Sequence, residues 1–148
     1  MYNKILIATD GSDLAGKAVD HGVKLAREIG ASVVFVTVTE MWSPLELAWE
    51  AQGGESDPIR QYEDLADKWA QRILDTAKTA AGNAGIKCET VHLSDIVPAE
   101  GIIETAQTRR CDLVVMASHG RRGINRLALG SQTAEVLANS KLPVLVLR

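Results

Sequence analysis

Five short apolar runs rich in β-branched residues, separated by stretches of helical periodicity, constrain this chain more than any other feature. They fall at residues 4–9, 33–38, 88–93, 113–117 and 144–147. Four are continuous rather than alternating, the pattern of strands buried on both faces. The run at 88–93 is more polar, with Cys88, Thr90 and His92 on one side and Glu89, Val91 and Leu93 on the other, which suits a sheet edge. Strands that alternate with helices at this spacing form a parallel sheet covered by helices on both sides. At 148 residues the chain has the size of one α/β domain, and residues 1–148 show no internal repeat, low-complexity tract or linker for a second.

The helices announce themselves by periodicity and by their ends. Ser12 or Asp13 can cap a helix whose apolar stripe carries Leu14, Ala18, Leu25 and Ile29 and which stops at Gly30. Asp57-Pro58 supplies a cap and a first position for a second helix, with Ile59, Tyr62, Leu65, Trp69 and Ile73 three or four apart and an end near Gly82. Pro98 opens a third, through Ile102, Ile103 and Ala106. The irregular segment between Glu40 and Ser56 holds Trp42 and Trp49, which suit a lid, a partner surface or packing over the domain's own core.

Chemistry concentrates in residues 113–133, LVVMASHGRRGINRLALGSQT. The strand Leu113-Val114-Val115-Met116-Ala117 opens into a loop with Gly120 and Gly123, and Gly130-Ser131 then starts a fourth helix, which Ser131 is placed to cap. A glycine-bearing turn onto a helix N-terminus suits an anion, because free N–H groups and the helix dipole face it and no Cβ blocks a phosphate at Gly120 or Gly130. A corner that uses glycine for its geometry alone fits the same pattern. Asp10, at the end of the first strand, can accept from a ribose hydroxyl or an exocyclic amine, or can brace its own loop. Arg121 is placed for phosphate contact, and Arg126 for solvent.

The wording of this stretch closely resembles the signature of the universal stress protein family, in which Gly-x-x-Gly, a nine-residue spacer and Gly-Ser/Thr wrap the phosphates of ATP. Gly120 matches the second glycine, residues 121–129 the spacer, and Gly130-Ser131 the closing pair, while Ala117 stands at the first glycine. The opening Ile-Ala-Thr-Asp-Gly-Ser and the closing Leu-Pro-Val-Leu-Val-Leu extend the resemblance over essentially the whole chain. It implies a doubly wound five-stranded parallel sheet in the order 3-2-1-4-5, of the adenine nucleotide alpha hydrolase-like kind. Ligands of such sheets sit at the carboxyl ends of the strands where the order reverses.

The implied nucleotide-binding residues are Ala8, Thr9 and Asp10 after the first strand and Val38 at the end of the second. Met116, Ala117, His119, Gly120, Arg121, Arg122 and Gly123 follow from the fourth strand and its loop. Gly130, Ser131, Gln132 and Thr133 follow from the helix start. The expected ligand is ATP, with Mg²⁺ accompanying it, in a nucleotide-dependent switch rather than a fast enzyme. A dimeric interaction protein of the same fold that binds no nucleotide is the alternative, and a slow ATPase comes third. The terminal strand Val144–Leu147, left at a sheet edge, is expected to pair with a second copy.

Other chemistries fit poorly. The net charge of −3 gives no basic footprint for nucleic acid. Tyr2-Asn3-Lys4 lead straight into a strand without a signal-peptide pattern, and no run is long enough to span a membrane, so a cytoplasmic location is expected. Cys88 and Cys111 stand in no metal or redox spacing and are expected as reduced thiols. Residues 11–18 nearly spell a P-loop but place Ala18 where a hydroxyl must reach Mg²⁺. A phospho-accepting receiver needs more carboxylates than Asp10. His21 and His92 show no carboxylate companion, so neither a metal site nor a hydrolytic triad is expected.

Overall fold

The computed structural model describes residues 1–40, 57–120 and 128–148. Its elements are β1 (Lys4–Ala8), α1 (Asp13–Ile29), β2 (Ser32–Thr39), α2 (Pro58–Asn83), β3 (Cys88–Ser94), α3 (Pro98–Thr108), β4 (Leu113–Ala117), α4 (Ser131–Asn139) and β5 (Val144–Leu147). The strands form one sheet in the order β3-β2-β1-β4-β5, and every pairing is parallel. The doubly wound order expected above is therefore the observed one, with the polar strand β3 at one edge and β5 at the other.

Alternation along the strands divides the core in two. Ile5 and Ile7, Val33 and Phe35, and Leu113, Val115 and Ala117 pack under α1 and α2. Leu6 and Ala8, Val34 and Val36, and Val114 and Met116 pack under α3 and α4. Phe35, Val114 and Val115 are wholly removed from water, as strands covered on both faces require. The near-P-loop is a helix start of another kind: Ser12 accepts from the Ala15 N–H at 3.2 Å, and Ala18 is fully buried on the inner face of α1.

The amino ends of the strands are pinned by polar contacts. The Asp112 carboxylate accepts from the Asn3 and Lys4 N–H groups at 2.8 and 3.1 Å. The Lys4 ammonium lies 2.9 Å from Glu89, which Arg109 approaches at 3.4 Å. The Lys4 hydrogen bond is the main reason that the Glu89 carboxyl is held below its ordinary value. The site lies at the opposite, carboxyl end.

Candidate functional site

Two chain reversals meet where the sheet order turns, at the ends of β1 and β4. After β1, Asp10 folds back so that one carboxylate oxygen accepts from the Ser12 N–H at 3.0 Å. Its other oxygen lies against Gly120, where an added Cβ would stand only 2.6 Å away. Asp10 thus both braces its own turn and reaches the loop that follows β4.

After β4 the chain is held tightly. The Ser118 N–H donates to the Leu147 carbonyl at 2.7 Å, and the Gly130 N–H donates to the Ser118 carbonyl at 2.8 Å. The Thr133 hydroxyl, from the first turn of α4, lies 2.9 Å from the Ala117 carbonyl and 3.1 Å from that of Ser118. A Cβ on Gly130 would stand 2.9 Å from the Ser118 carbonyl oxygen. The close approach that the structure shows at Gly130 is thus one of the chain to itself.

The helix start differs from expectation in one respect. Gly130 is the cap residue of α4, in extended backbone, and Ser131 is already the first helical residue. Ser131 therefore does not cap the helix. The approach of the Ser118 carbonyl demands glycine at the cap position, which moves the serine one place inward. Among the described residues no side chain caps this end, and the first N–H groups of a helix have no partner within it.

His119 lies beside this helix start. Its Nδ1 is 3.0 Å from the Ser118 hydroxyl, and its Nε2 is buried with no partner among the described residues. A buried polar atom without a partner is uncommon and marks a place where a ligand or water completes the structure.

The remaining expected residues divide between the two faces of the sheet. Ala8, Val38 and Met116 share the α3 and α4 side with Val136. The methyl group of Ala117 points the other way, into the core beneath α1. Thr9 uses its hydroxyl to accept from the Gly11 N–H at 3.3 Å. The Gln132 side chain turns to α3, where it accepts from the Ala99 N–H at 2.9 Å. Arg121, Arg122, Gly123 and Arg126 lie outside the described residues, as do Trp42 and Trp49.

His92 corrects a second expectation. It has a carboxylate companion: Asp67 of α2 is 3.4 Å from Nδ1, and the Thr39 hydroxyl is 2.9 Å from Nε2. Nothing in local spacing reveals this, because the three residues come from three separate elements. Among the described residues no group of three or more metal-ligating side chains occurs. Cys111 is buried, and burial pushes its thiol up to about 11, which makes it a poor nucleophile. A groove of about 610 Å³ runs between α1 and α2 past Thr9, Lys17, Trp69 and Arg72, on the far side of the sheet from Val38 and Met116. No helix among the described residues is long and apolar enough to cross a membrane.

A parallel sheet in the order β3-β2-β1-β4-β5 with helices on both faces defines the class of doubly wound α/β protein. Its family follows from comparison with known sequences: the universal stress protein family model matches residues 1–148, and the chain belongs to that family. It is 34% identical over 152 aligned residues to universal stress protein MJ0531 of Methanocaldococcus jannaschii, covering 100% of this chain and 83% of that one. It is 33% identical over 150 aligned residues to universal stress protein YxiE of Bacillus subtilis, covering 100% of each. A solved universal stress protein in complex with cAMP superposes with a TM-score of 0.72 at 25% identity, over 99% of this chain and 97% of that one.

Proposed function

We propose that this chain binds an adenine nucleotide, ATP foremost, at the carboxyl ends of β1 and β4 and serves as a nucleotide-dependent switch in a cytoplasmic stress response. The observation that carries this reading is the uncapped start of α4 beside the unpartnered Nε2 of His119. Helix N–H groups, the helix dipole and an imidazole N–H together suit phosphate oxygens. When Ser118 donates to Nδ1, Nε2 carries the proton and points a donor toward them. Asp10, joined to the same loop, offers its carboxylate to the ribose or the base. Ala8, Val38 and Met116 give the nucleoside side an apolar floor. The solved relative bound to cAMP supports the adenine part of the reading.

ATP would bring Mg²⁺ with it. No ready-made set of metal-ligating side chains stands among the described residues. The ion would therefore draw its ligands chiefly from the phosphates and water, as Mg²⁺ commonly does. The role is binding and release rather than rapid turnover. The half-buried terminal strand β5, paired among the described residues with β4 alone, gives a second copy an edge to pair with.

One observation favours a second reading, a dimeric interaction protein of the same fold without nucleotide. The Ser118 carbonyl and the Asp10 carboxylate already press on Gly130 and Gly120, the two glycines that would otherwise admit a phosphate. Mass spectrometry of small molecules released by denaturing the purified protein separates the two. Stoichiometric adenine nucleotide supports the first reading; its absence, with no uptake of added ATP, supports the second.

A further inference from the structure

Helix α3 begins without the usual polar cap. Its cap residue is Val97, which has no side-chain oxygen to offer, so the first N–H groups of the helix need partners from elsewhere. Ala99 is the sharpest case, because it is only 1% exposed and water cannot serve its amide. The partner is Gln132 Oε1, at 2.9 Å and from another helix. Gln132 therefore faces two ways. Its main chain lies in the uncapped first turn of α4, and its side chain completes the first turn of α3.

We propose that Gln132 is a positioning residue that carries the occupancy of the α4 N-terminus to helix α3 and from there to Val38. The proposal rests on the nucleotide reading above. The second link is steric. A Cβ on Gly101, in the first turn of α3, would stand 3.0 Å from Val38 Cγ2 and 3.3 Å from Leu93 and Ile96. The start of α3 thus rests on the end of β2 with no slack. An anion that fixes the first turn of α4 fixes the Gln132 side chain, hence the start of α3, hence the apolar wall at Val38. The phosphate end and the nucleoside end of one site are joined through a helix that need not touch the phosphates. Coupling is reciprocal, so losing the Gln132–Ala99 contact must weaken nucleotide binding by the factor by which nucleotide strengthens that contact.

Amide exchange at Ala99, followed by NMR, tests this in the natural protein, Gln132→Leu and Gln132→Glu. Leucine keeps the bulk without the acceptor, whereas glutamate keeps an oxygen. Without nucleotide, exchange at Ala99 should be about tenfold faster in Gln132→Leu, the size of a lost cap, and near natural in Gln132→Glu. Saturating Mg-ATP should slow Ala99 a further fivefold or about that in the natural protein and leave Gln132→Leu unchanged. Equal Ala99 exchange in the natural protein and Gln132→Leu overturns the proposal, as does equal slowing of both by ATP. Calorimetry on the same samples separates the causes. No ATP uptake by the natural protein overturns the nucleotide reading and the coupling with it, whereas uptake with unchanged Ala99 exchange overturns the coupling alone.

Discussion

The Thr133 hydroxyl sits 2.9 Å from the Ala117 carbonyl and 3.1 Å from the Ser118 carbonyl, one proton shared between two acceptors. This contact ties the first turn of α4 to the end of β4 and fixes where the helix N–H groups point. Thr133→Val keeps the shape and removes the donor; the Ala117 carbonyl loses it outright, while that of Ser118 keeps the Gly130 N–H. Urea unfolding should show a loss of about 1–3 kcal/mol. ATP affinity should fall with it, because the helix start loses its anchor. An unchanged unfolding midpoint would show that the contact holds nothing.

Ala117 occupies the first glycine position of the family pattern, and its methyl group lies in the core beneath α1 rather than in the crevice. Ala117→Gly should therefore leave ATP affinity within about 1 kcal/mol of the natural value, while lowering stability by about 0.5–1 kcal/mol through chain entropy and lost packing. Gly130→Ala should behave in the opposite way. Its Cβ meets a backbone carbonyl at 2.9 Å, and the shift that this forces at the start of α4 should reduce ATP affinity by about tenfold, one charged hydrogen bond's worth. Calorimetry on the two variants distinguishes a position that sets the start of α4 from one that only packs in the core.

Among the described residues strand β5 pairs with β4 alone, and we propose that a second copy extends it. Light scattering should report a dimer at tens of micromolar, a range in which even weak dimers of about that dissociation constant are populated. Leu145→Pro should return the protein to a monomer by breaking the edge. A dimer that survives this change would place the interface elsewhere.

The contacts of Glu89 with Lys4 and Arg109 give stability a pH dependence of known sign. A carboxyl held below its ordinary value of 4.5 contributes fully above that value and loses the contribution as pH falls through the lowered one. The pair is partly exposed and screened by water, so Glu89→Gln should cost about 1 kcal/mol or less at neutral pH. The difference between natural and variant unfolding midpoints should close in acid. A difference that persists at low pH would assign the effect to packing instead.

The sheet was legible because residues 33–38 and 113–117 are continuously apolar and β-branched, a pattern that only strands covered on both faces sustain. The order of the strands was not legible in that pattern; it came with the family resemblance. The glycine-bearing turn onto α4 followed from local chemistry, as did a loop-bracing Asp10 as one of its two readings; the cap residue of α4 did not. What escaped were contacts between residues far apart in the chain. Asp67, His92 and Thr39 belong to three elements, and Gln132 reaches Ala99 across 33 positions. Periodicity and motif spacing describe neighbours along the chain, so they hold no signal for such pairs. Ser131 was misplaced for a related reason: the carbonyl that requires glycine at the cap position belongs to Ser118, on the far side of the loop.

Whether ATP binds where β1 and β4 end can be read most directly from isothermal titration of Mg-ATP into the natural protein and Asp10→Ala. One nucleotide per chain should bind in the micromolar range, about −8 kcal/mol. Asp10→Ala should weaken binding about tenfold or more, since a charged acceptor is removed from the nucleoside side. No binding heat from the natural protein, or equal affinity in the two, would contradict binding there.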